Sequence, residues 1–248
     1  MFFGFDLKGD FDFSGRRIAL VGGGGFIGHN LALQLKILGA DVHIIDGLTV
    51  NNLAYFAPRE EVVPNRRLYM NLIQERLDLL EDAGVPVHVE DARDYHALSR
   101  VLTQVEPDSI VHLAAIAHAN RANKDPFSTF DHSLRTLENS LDFARSRNVH
   151  FVYFSSSMVY GDFENGIVDE KSPCNPIGIY AALKFSAEKI LAGYNQVFGL
   201  PYTIIRPSAL YGERCVSRRI GQAFIENALK GIDLTVNGDG SDKLDFTY

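Results

Sequence analysis

A glycine run set between a short apolar stretch and a helical pattern, Val21-Gly22-Gly23-Gly24-Gly25-Phe26-Ile27-Gly28, constrains this chain more than any other feature. Residues 17–22 read as a buried strand and 26–38 as an amphipathic helix ending at Gly39, so the glycines fall at a strand-to-helix turn. Gly22, Gly25 and Gly28 have Gly-x-x-Gly-x-x-Gly spacing. Such glycines permit a tight turn and a close backbone approach to a diphosphate, and the helix start at Phe26 and Ile27 offers free N–H groups and a positive dipole end. The expected ligand is a dinucleotide. A second strand at 41–46 completes a βαβ unit and ends in Asp46. A carboxylate there accepts ribose hydroxyl hydrogens and repels a 2′-phosphate; no Arg follows in Gly47-Leu48-Thr49, so NAD is expected over NADP.

The rest of the chain continues the alternation. Residues 86–90, 109–114, 150–155 and 202–206 are β-rich, and helical patterns cover 94–105, 127–147 and 179–198. Strands alternating with helices imply an α/β fold, a Rossmann-like doubly wound parallel sheet. Residues 49–84 exceed a normal crossover and carry a helical pattern at 66–82, which reads as an insertion on the domain surface. Residues 1–206 are expected to form the NAD-binding domain and 207–248 the start of a substrate-binding region that continues beyond Tyr248.

Composition excludes several classes. With 248 residues and 46% hydrophobic content the chain can bury a full core. The net charge of -7 is spread without a basic run, which argues against nucleic acid. The longest apolar stretches, at 114–117 and 151–154, are too short for a bilayer, and the N-terminus carries Asp6, Asp10 and Asp12 where an export signal is cationic. Cys174 and Cys215 lack metal-ligand spacing and the eight histidines form no ligand-like cluster, so no metal and a cytoplasmic location are expected.

A second motif says what the dinucleotide is used for. Tyr180-x-x-x-Lys184 follows a serine run at Ser155, Ser156 and Ser157, and an i, i+4 pair shares one helix face, so an ammonium can stand near the phenol. A general base must work near neutrality, and the nearby ammonium and the positive nicotinamide ring together favour the phenolate.

With these residues the chain resembles the extended short-chain dehydrogenases/reductases, the NAD-dependent sugar-nucleotide epimerase/dehydratase family. The ordered matches are Gly-Gly-Phe-Ile-Gly28, Asp46, Asp91-x-x-Asp94, His112-Leu113-Ala114-Ala115, Phe154-Ser-Ser-Ser-Met-Val-Tyr-Gly161, Tyr180-Ala-Ala-Leu-Lys184 with Glu188, and Arg206-Pro207 followed by Tyr211-Gly212. The resemblance implies that Ser156, Tyr180 and Lys184 are catalytic, with Ser156 chosen because it lies four residues before Tyr160. It further implies that Asp91, Ala92, Leu113, Ala114, Ala115, Ser155 and Pro207 line the cofactor, with Tyr180 and Lys184 also touching it. His118, Ser156, Ser157 and Tyr180 are expected to meet substrate, and a homodimer is expected through the helices at 127–147 and 179–198. Ser133, Val21 and Leu244 depart from the family pattern, Leu244 at a position where relatives carry an Arg that contacts the nucleotide diphosphate.

The activity implied is NAD-dependent inversion of a nucleotide sugar at C4 through a transient keto intermediate, with Tyr180 as base. Alternatives are a 4,6-dehydratase, decarboxylase or reductase of the same family, and, in another class, a non-catalytic NAD(H)-binding sensor. Elimination of water needs an extra acid/base pair, which dehydratases of this family place right after the catalytic Ser or Thr. Ser157 and Met158 stand there, and neither moves a proton at neutral pH.

Overall fold

Successive residues of the first strand point to opposite faces and all but one are buried, which only a sheet covered on both sides allows. In the computed structural model, which describes residues 11–57, 65–116, 119–147, 149–162, 166–236, 238–240 and 244–248, this strand is β1 (Arg17–Val21). It is followed by α1 (Phe26–Ile37) and β2 (Asp41–Ile45), then α2 (Leu53–Phe56), α3 (Arg66–Asp82), β3 (Val87–His88), α4 (Tyr95–Val105) and β4 (Ser109–His112). Next come α5 (Ala119–Lys124), α6 (Pro126–Phe130), a π turn (Asp131–Arg135), α7 (Thr136–Ala144), β5 (His150–Phe154), α8 (Gly178–Phe198), β6 (Tyr202–Ile205) and α9 (Ile220–Leu229). The six strands pair in parallel in the order β3-β2-β1-β4-β5-β6. That is the doubly wound topology expected from the alternation.

Two cores sandwich the sheet. Ala19 and Val21 of β1 join Phe151 of β5 beneath Leu98 and Leu102 of α4, Leu137 and Leu141 of α7 and Leu191 of α8. Ile18 and Leu20 face the other way, with Val42 and Ile44 of β2, under Ala32 and Leu33 of α1 and Leu80 of α3. The stretch 49–84, expected as a surface insertion, supplies the β2-to-β3 crossover helix: Tyr69, Ile73, Arg76 and Leu80 of α3 are all buried. Phe56, Tyr69, Ile73 and Val216 form a third, smaller cluster.

The region after β6 docks on this helix. Glu226 of α9 is buried and accepts hydrogen bonds from the Tyr69 hydroxyl (2.8 Å), Gln222 Nε2 (2.7 Å) and Arg218 Nε (3.1 Å). Further on, the Tyr211 N–H donates to the Thr247 carbonyl at 2.9 Å, beside an isolated parallel bridge between Leu210 and Thr247.

The helix expected at 127–147 is divided by the π turn. There the His132 ring nitrogen Nδ1 reaches the Ser128 carbonyl at 2.9 Å, and the Thr136 hydroxyl donates to the His132 carbonyl at 2.9 Å. Side chains that bond the carbonyls of the preceding turn loosen the regular ladder.

Two glycines separate the kinds of role this residue plays here. Gly22 has φ +81°, and a Cβ on it would lie 2.5 Å from the Ala114 nitrogen, whereas a Cβ on Gly193, inside α8, would meet nothing within 4 Å. Gly22→Ala should cost about 3 kcal/mol or more through left-handed strain and overpacking, and Gly193→Ala should stabilise by about 0.5–1 kcal/mol through helix propensity. Urea unfolding of both variants checks this; a Gly22→Ala midpoint equal to that of the unmodified chain would contradict the close approach of the two strands.

Candidate active site

Between β1 and β4 the chain leaves the sheet in opposite directions, and such a switch point opens a crevice at the carboxyl ends of the strands. The glycine loop forms its floor. A Cβ on Gly28 would collide with the Gly23 backbone, so α1 begins directly against the turn. The N-cap of α1 is Gly25, with no side-chain cap and no acidic residue in the first turn. Its first N–H groups are therefore available to an anion, and the helix dipole reinforces them.

The groove is lined by Gly22, Gly25, Phe26, Ile27 and Gly28 of the loop, Asp46 after β2, Asp91 and Ala92 after β3, and Leu113, Ala114 and Ala115 after β4. All of these were expected from the sequence as cofactor residues. The groove also takes in residues that the sequence reading passed over: Arg76, His132, Thr136, Leu210, Val216, Ser217 and Arg219. Arg76 had a readable signal, since it breaks an otherwise apolar stripe of Tyr69, Ile73 and Leu80 on α3. His132 and Thr136 had none, because it is the π turn that aims them.

Asp46 accepts hydrogen bonds from the Leu48 N–H (2.7 Å) and the Gly24 N–H (2.9 Å). Burial pushes its carboxyl above the usual range while the Leu48 and Gly24 N–H groups pull the other way. Asp91 is held by Arg93 at 2.6 Å, and Arg93 also reaches Asp131 at 2.9 Å. The Arg93 hydrogen bonds keep the Asp91 carboxyl below the ordinary range. Beneath the loop His29 is buried and neutral, burial lowering its pKa to about 3. Its Nδ1–H donates to the Gly25 carbonyl (2.9 Å) and its Nε2 accepts from Arg214 Nε (2.9 Å). Glycines at the close contacts, an uncapped helix start and a carboxylate at the end of β2 together fit a dinucleotide.

Ser156, Tyr180, Lys184 and Pro207 lie outside the groove lining, around the short turn Ser157–Tyr160 and the start of α8. The Ser156 hydroxyl accepts the Met158 N–H at 3.2 Å and stands close enough to the Tyr180 phenol to favour its ionised form. The Ser157 N–H donates to the Pro207 carbonyl at 3.0 Å. Ser155, expected at the cofactor, points elsewhere: it donates to Glu188 Oε1 at 2.5 Å. Glu188 is buried and pairs with Arg206 at 2.7 Å, whose Nη1 also donates to the Tyr160 hydroxyl at 2.9 Å. Strand alternation explains the split, because adjacent serines at the end of β5 face opposite ways. His118 lies outside the described residues.

The expected lowering of Tyr180 by Lys184 is not found. Burial raises the phenol pKa, opposed by the Ser156 hydrogen bond and the charge of Arg219. The Lys184 ammonium donates to the Phe154 carbonyl at 2.7 Å and sits 4.9 Å from the Tyr153 ring centre, against 6.0 Å from that of Tyr180. It is buried, and burial draws it down from 10.5 to about 8, with Glu188 opposing. Among the described residues no three His, Cys, Asp or Glu side chains gather to hold a metal ion, and no helix is long and apolar enough to cross a membrane.

Lys184 carries a signed pH prediction. Its folded value lies below its unfolded one, so burying the charge penalises the fold at pH values below about 8, and the penalty fades as pH rises toward 10.5. Relative to Lys184→Met, the unmodified chain should gain on the order of 2–3 kcal/mol of unfolding free energy across that window. Urea unfolding at a series of pH values measures it; a stability difference that stays flat would mean the ammonium is solvated.

Comparison with known proteins agrees with this geometry. The model of the family described as "NAD dependent epimerase/dehydratase family" matches residues 18–248. A putative UDP-glucose 4-epimerase of Methanocaldococcus jannaschii is 29% identical over 238 residues, covering 93% of this chain and 69% of that protein. A UDP-glucose 4-epimerase of Lacticaseibacillus casei is 30% identical over 190 residues, 76% of this chain and 50% of that one. Among solved structures, UDP-glucuronic acid 4-epimerase from Bacillus cereus, in complex with UDP-glucuronic acid and NAD, superimposes with a TM-score of 0.79 at 26% identity, covering 93% of this chain and 68% of that chain. The chain thus spans between half and about two thirds of the length of these relatives.

Proposed function

The chain belongs to the NAD dependent epimerase/dehydratase family, and from that premise we propose that it inverts C4 of a nucleotide sugar through a transient keto intermediate. The observation that carries this reading is the placement of the Ser156 hydroxyl close enough to the Tyr180 phenol to favour its ionisation, beside a groove built for a dinucleotide. Gly22, Gly25, Phe26, Ile27 and Gly28 would hold the diphosphate, Asp46 the adenosine ribose, and Asp91 and Ala92 the adenine edge. Bound NAD would supply the hydride acceptor and return the hydride to the opposite face. Tyr180 takes the proton from the sugar hydroxyl and Ser156 orients the reacting oxygen. Arg219, close enough to favour the phenolate, offsets part of the burial that opposes it. Lys184 holds a positive charge beneath the pair.

Inversion is favoured over dehydration at one place. Ser157 and Met158 follow Ser156 directly in the short turn, and they furnish neither the acid nor the base that removing water across C5–C6 requires. The reading also puts the chain in the cytoplasm, in keeping with free thiols at Cys174 and Cys215.

Tyr180→Phe tests the reading, because it removes the proton acceptor and leaves the dinucleotide groove intact. Turnover of a panel of UDP- and dTDP-sugars should fall by about 100-fold or more while NAD binding stays within about twofold. Retained turnover would overturn Tyr180 as base, and a product lighter than substrate by one water would establish the dehydratase alternative.

The homodimer belongs to the same proposal. Phe127, Phe130, Leu134, Leu137, Ile190 and Tyr194 line an open groove of about 490 Å³ between the α6–α7 rod and α8, and Phe127 is 85% exposed. An exposed apolar groove of this kind, rimmed by Asp131, Arg135 and Glu138, suits a two-fold contact. Light scattering should report twice the chain mass for the unmodified protein and the single-chain mass for Phe127→Asp; a single-chain mass for both would overturn the dimer.

A further inference from the structure

Arg76 is the largest fully buried side chain among the described residues, 1% exposed, and it lines the dinucleotide groove from α3. Two of its nitrogens have a partner: Nε donates to the Arg214 carbonyl at 3.0 Å, and Nη2 donates to the same oxygen. The third, Nη1, is buried without any hydrogen-bond partner. A buried guanidinium nitrogen left unsatisfied is costly, and in a native fold it calls for a partner that the polypeptide itself does not provide.

Asp46 is not that partner. It accepts the Gly24 and Leu48 N–H groups and makes no hydrogen bond with Arg76, although it is near enough for its charge to be felt there. His29, in the first turn of α1, feels the Arg76 charge as well. Arg76 therefore shares the groove with the glycine loop, the start of α1 and Asp46. Burial lowers its pKa only to about 10, so it is a cation at neutral pH. A chain of hydrogen bonds fixes its place: Arg76 holds the Arg214 carbonyl, and the Arg214 side chain holds His29, which holds the Gly25 carbonyl.

We propose that Arg76 is a cofactor-binding residue whose Nη1 donates to a diphosphate oxygen of the bound dinucleotide, so that crossover helix α3 closes the anion site opened by the glycine loop. The proposal rests on the dinucleotide reading and extends it to a segment that the glycine motif does not include. A diphosphate oxygen satisfies the orphaned donor and meets a positive charge already desolvated and oriented, which makes a charge-assisted hydrogen bond strong.

The test compares ligands with and without a diphosphate, using calorimetry for NAD, ADP and adenosine 2′-phosphate and an NMR titration for adenosine. Arg76→Met should weaken NAD and ADP by about 10–100-fold, the range for a hydrogen bond to a charged group, and leave adenosine within about twofold. Arg76→Gln retains a donor for the Arg214 carbonyl and carries the same comparison if the Met variant does not fold. Equal losses for adenosine and ADP, or no loss for either, would overturn the proposal and leave Arg76 as a charge balance for Asp46. A loss confined to adenosine 2′-phosphate would assign the guanidinium to a ribose phosphate instead. Should the unmodified chain bind neither NAD nor ADP, it is the dinucleotide reading that falls.

Discussion

The constraint on which this molecule turns is between two backbones: the chain just past β1 and just past β4 approaches so tightly at Gly22 and Ala114 that no side chain fits between them. That approach sets the strand order around β1 and opens the crevice above it. It also places the start of α1 over the crevice, because the loop from Gly22 to Gly28 has no room to wander: Gly28 rests on the backbone of Gly23. Ala114 and Ala115, just past β4, become a wall of the groove for the same reason. One geometric fact thus fixes the sheet, the helix that caps the groove and the width of the groove itself.

Much of this was legible from residue order. The alternation of strand and helix patterns sufficed for the sheet, since each pattern buries its own periodic face. The loop and Asp46 were legible because close backbone contacts and strand ends leave local marks, whereas Asp91, Ala92 and Leu113 to Ala115 were placed at the cofactor by the family resemblance alone. What escaped the reading depends on tertiary detail. Ser155 and Ser156 are indistinguishable as letters, and only the phase of β5 sends one to Glu188 and the other to Tyr180. The partner of Lys184 was not legible, because an i, i+4 spacing brings two side chains to one face without saying which carbonyl an ammonium will choose. Residues 49–84 looked like surplus length, and their contribution to the core depends on Leu80 and Ile73 docking against partners distant in sequence.

Charge is handled here by burial in pairs and chains. The Glu188–Arg206 pair shares its oxygens with Ser155 and its nitrogens with Tyr160, so both ions keep partners away from water. Removing one member of such a pair typically costs about 3–5 kcal/mol, whereas the intact pair adds little net stability. Its value is positional: it ties the middle of α8 to β5, β6 and the turn after Ser156, which are the elements that carry the candidate catalytic side chains. His29 achieves a similar end without charge. Kept neutral by burial, it donates to the glycine loop and accepts from Arg214, transmitting the position of the post-β6 segment to the helix start.

The π turn between α6 and α7 works like a gear tooth. One residue of α-helix spans about 100° of rotation, so the wider turn at Asp131–Arg135 re-phases everything after it relative to what came before. The single rod can then display Phe127 and Phe130 outward, offer His132 and Thr136 to the dinucleotide groove, and still drive Leu137 and Leu141 into the core. The outer aromatic face, the cofactor crevice and the core are thus all served by one rod whose phase changes once, at the π turn.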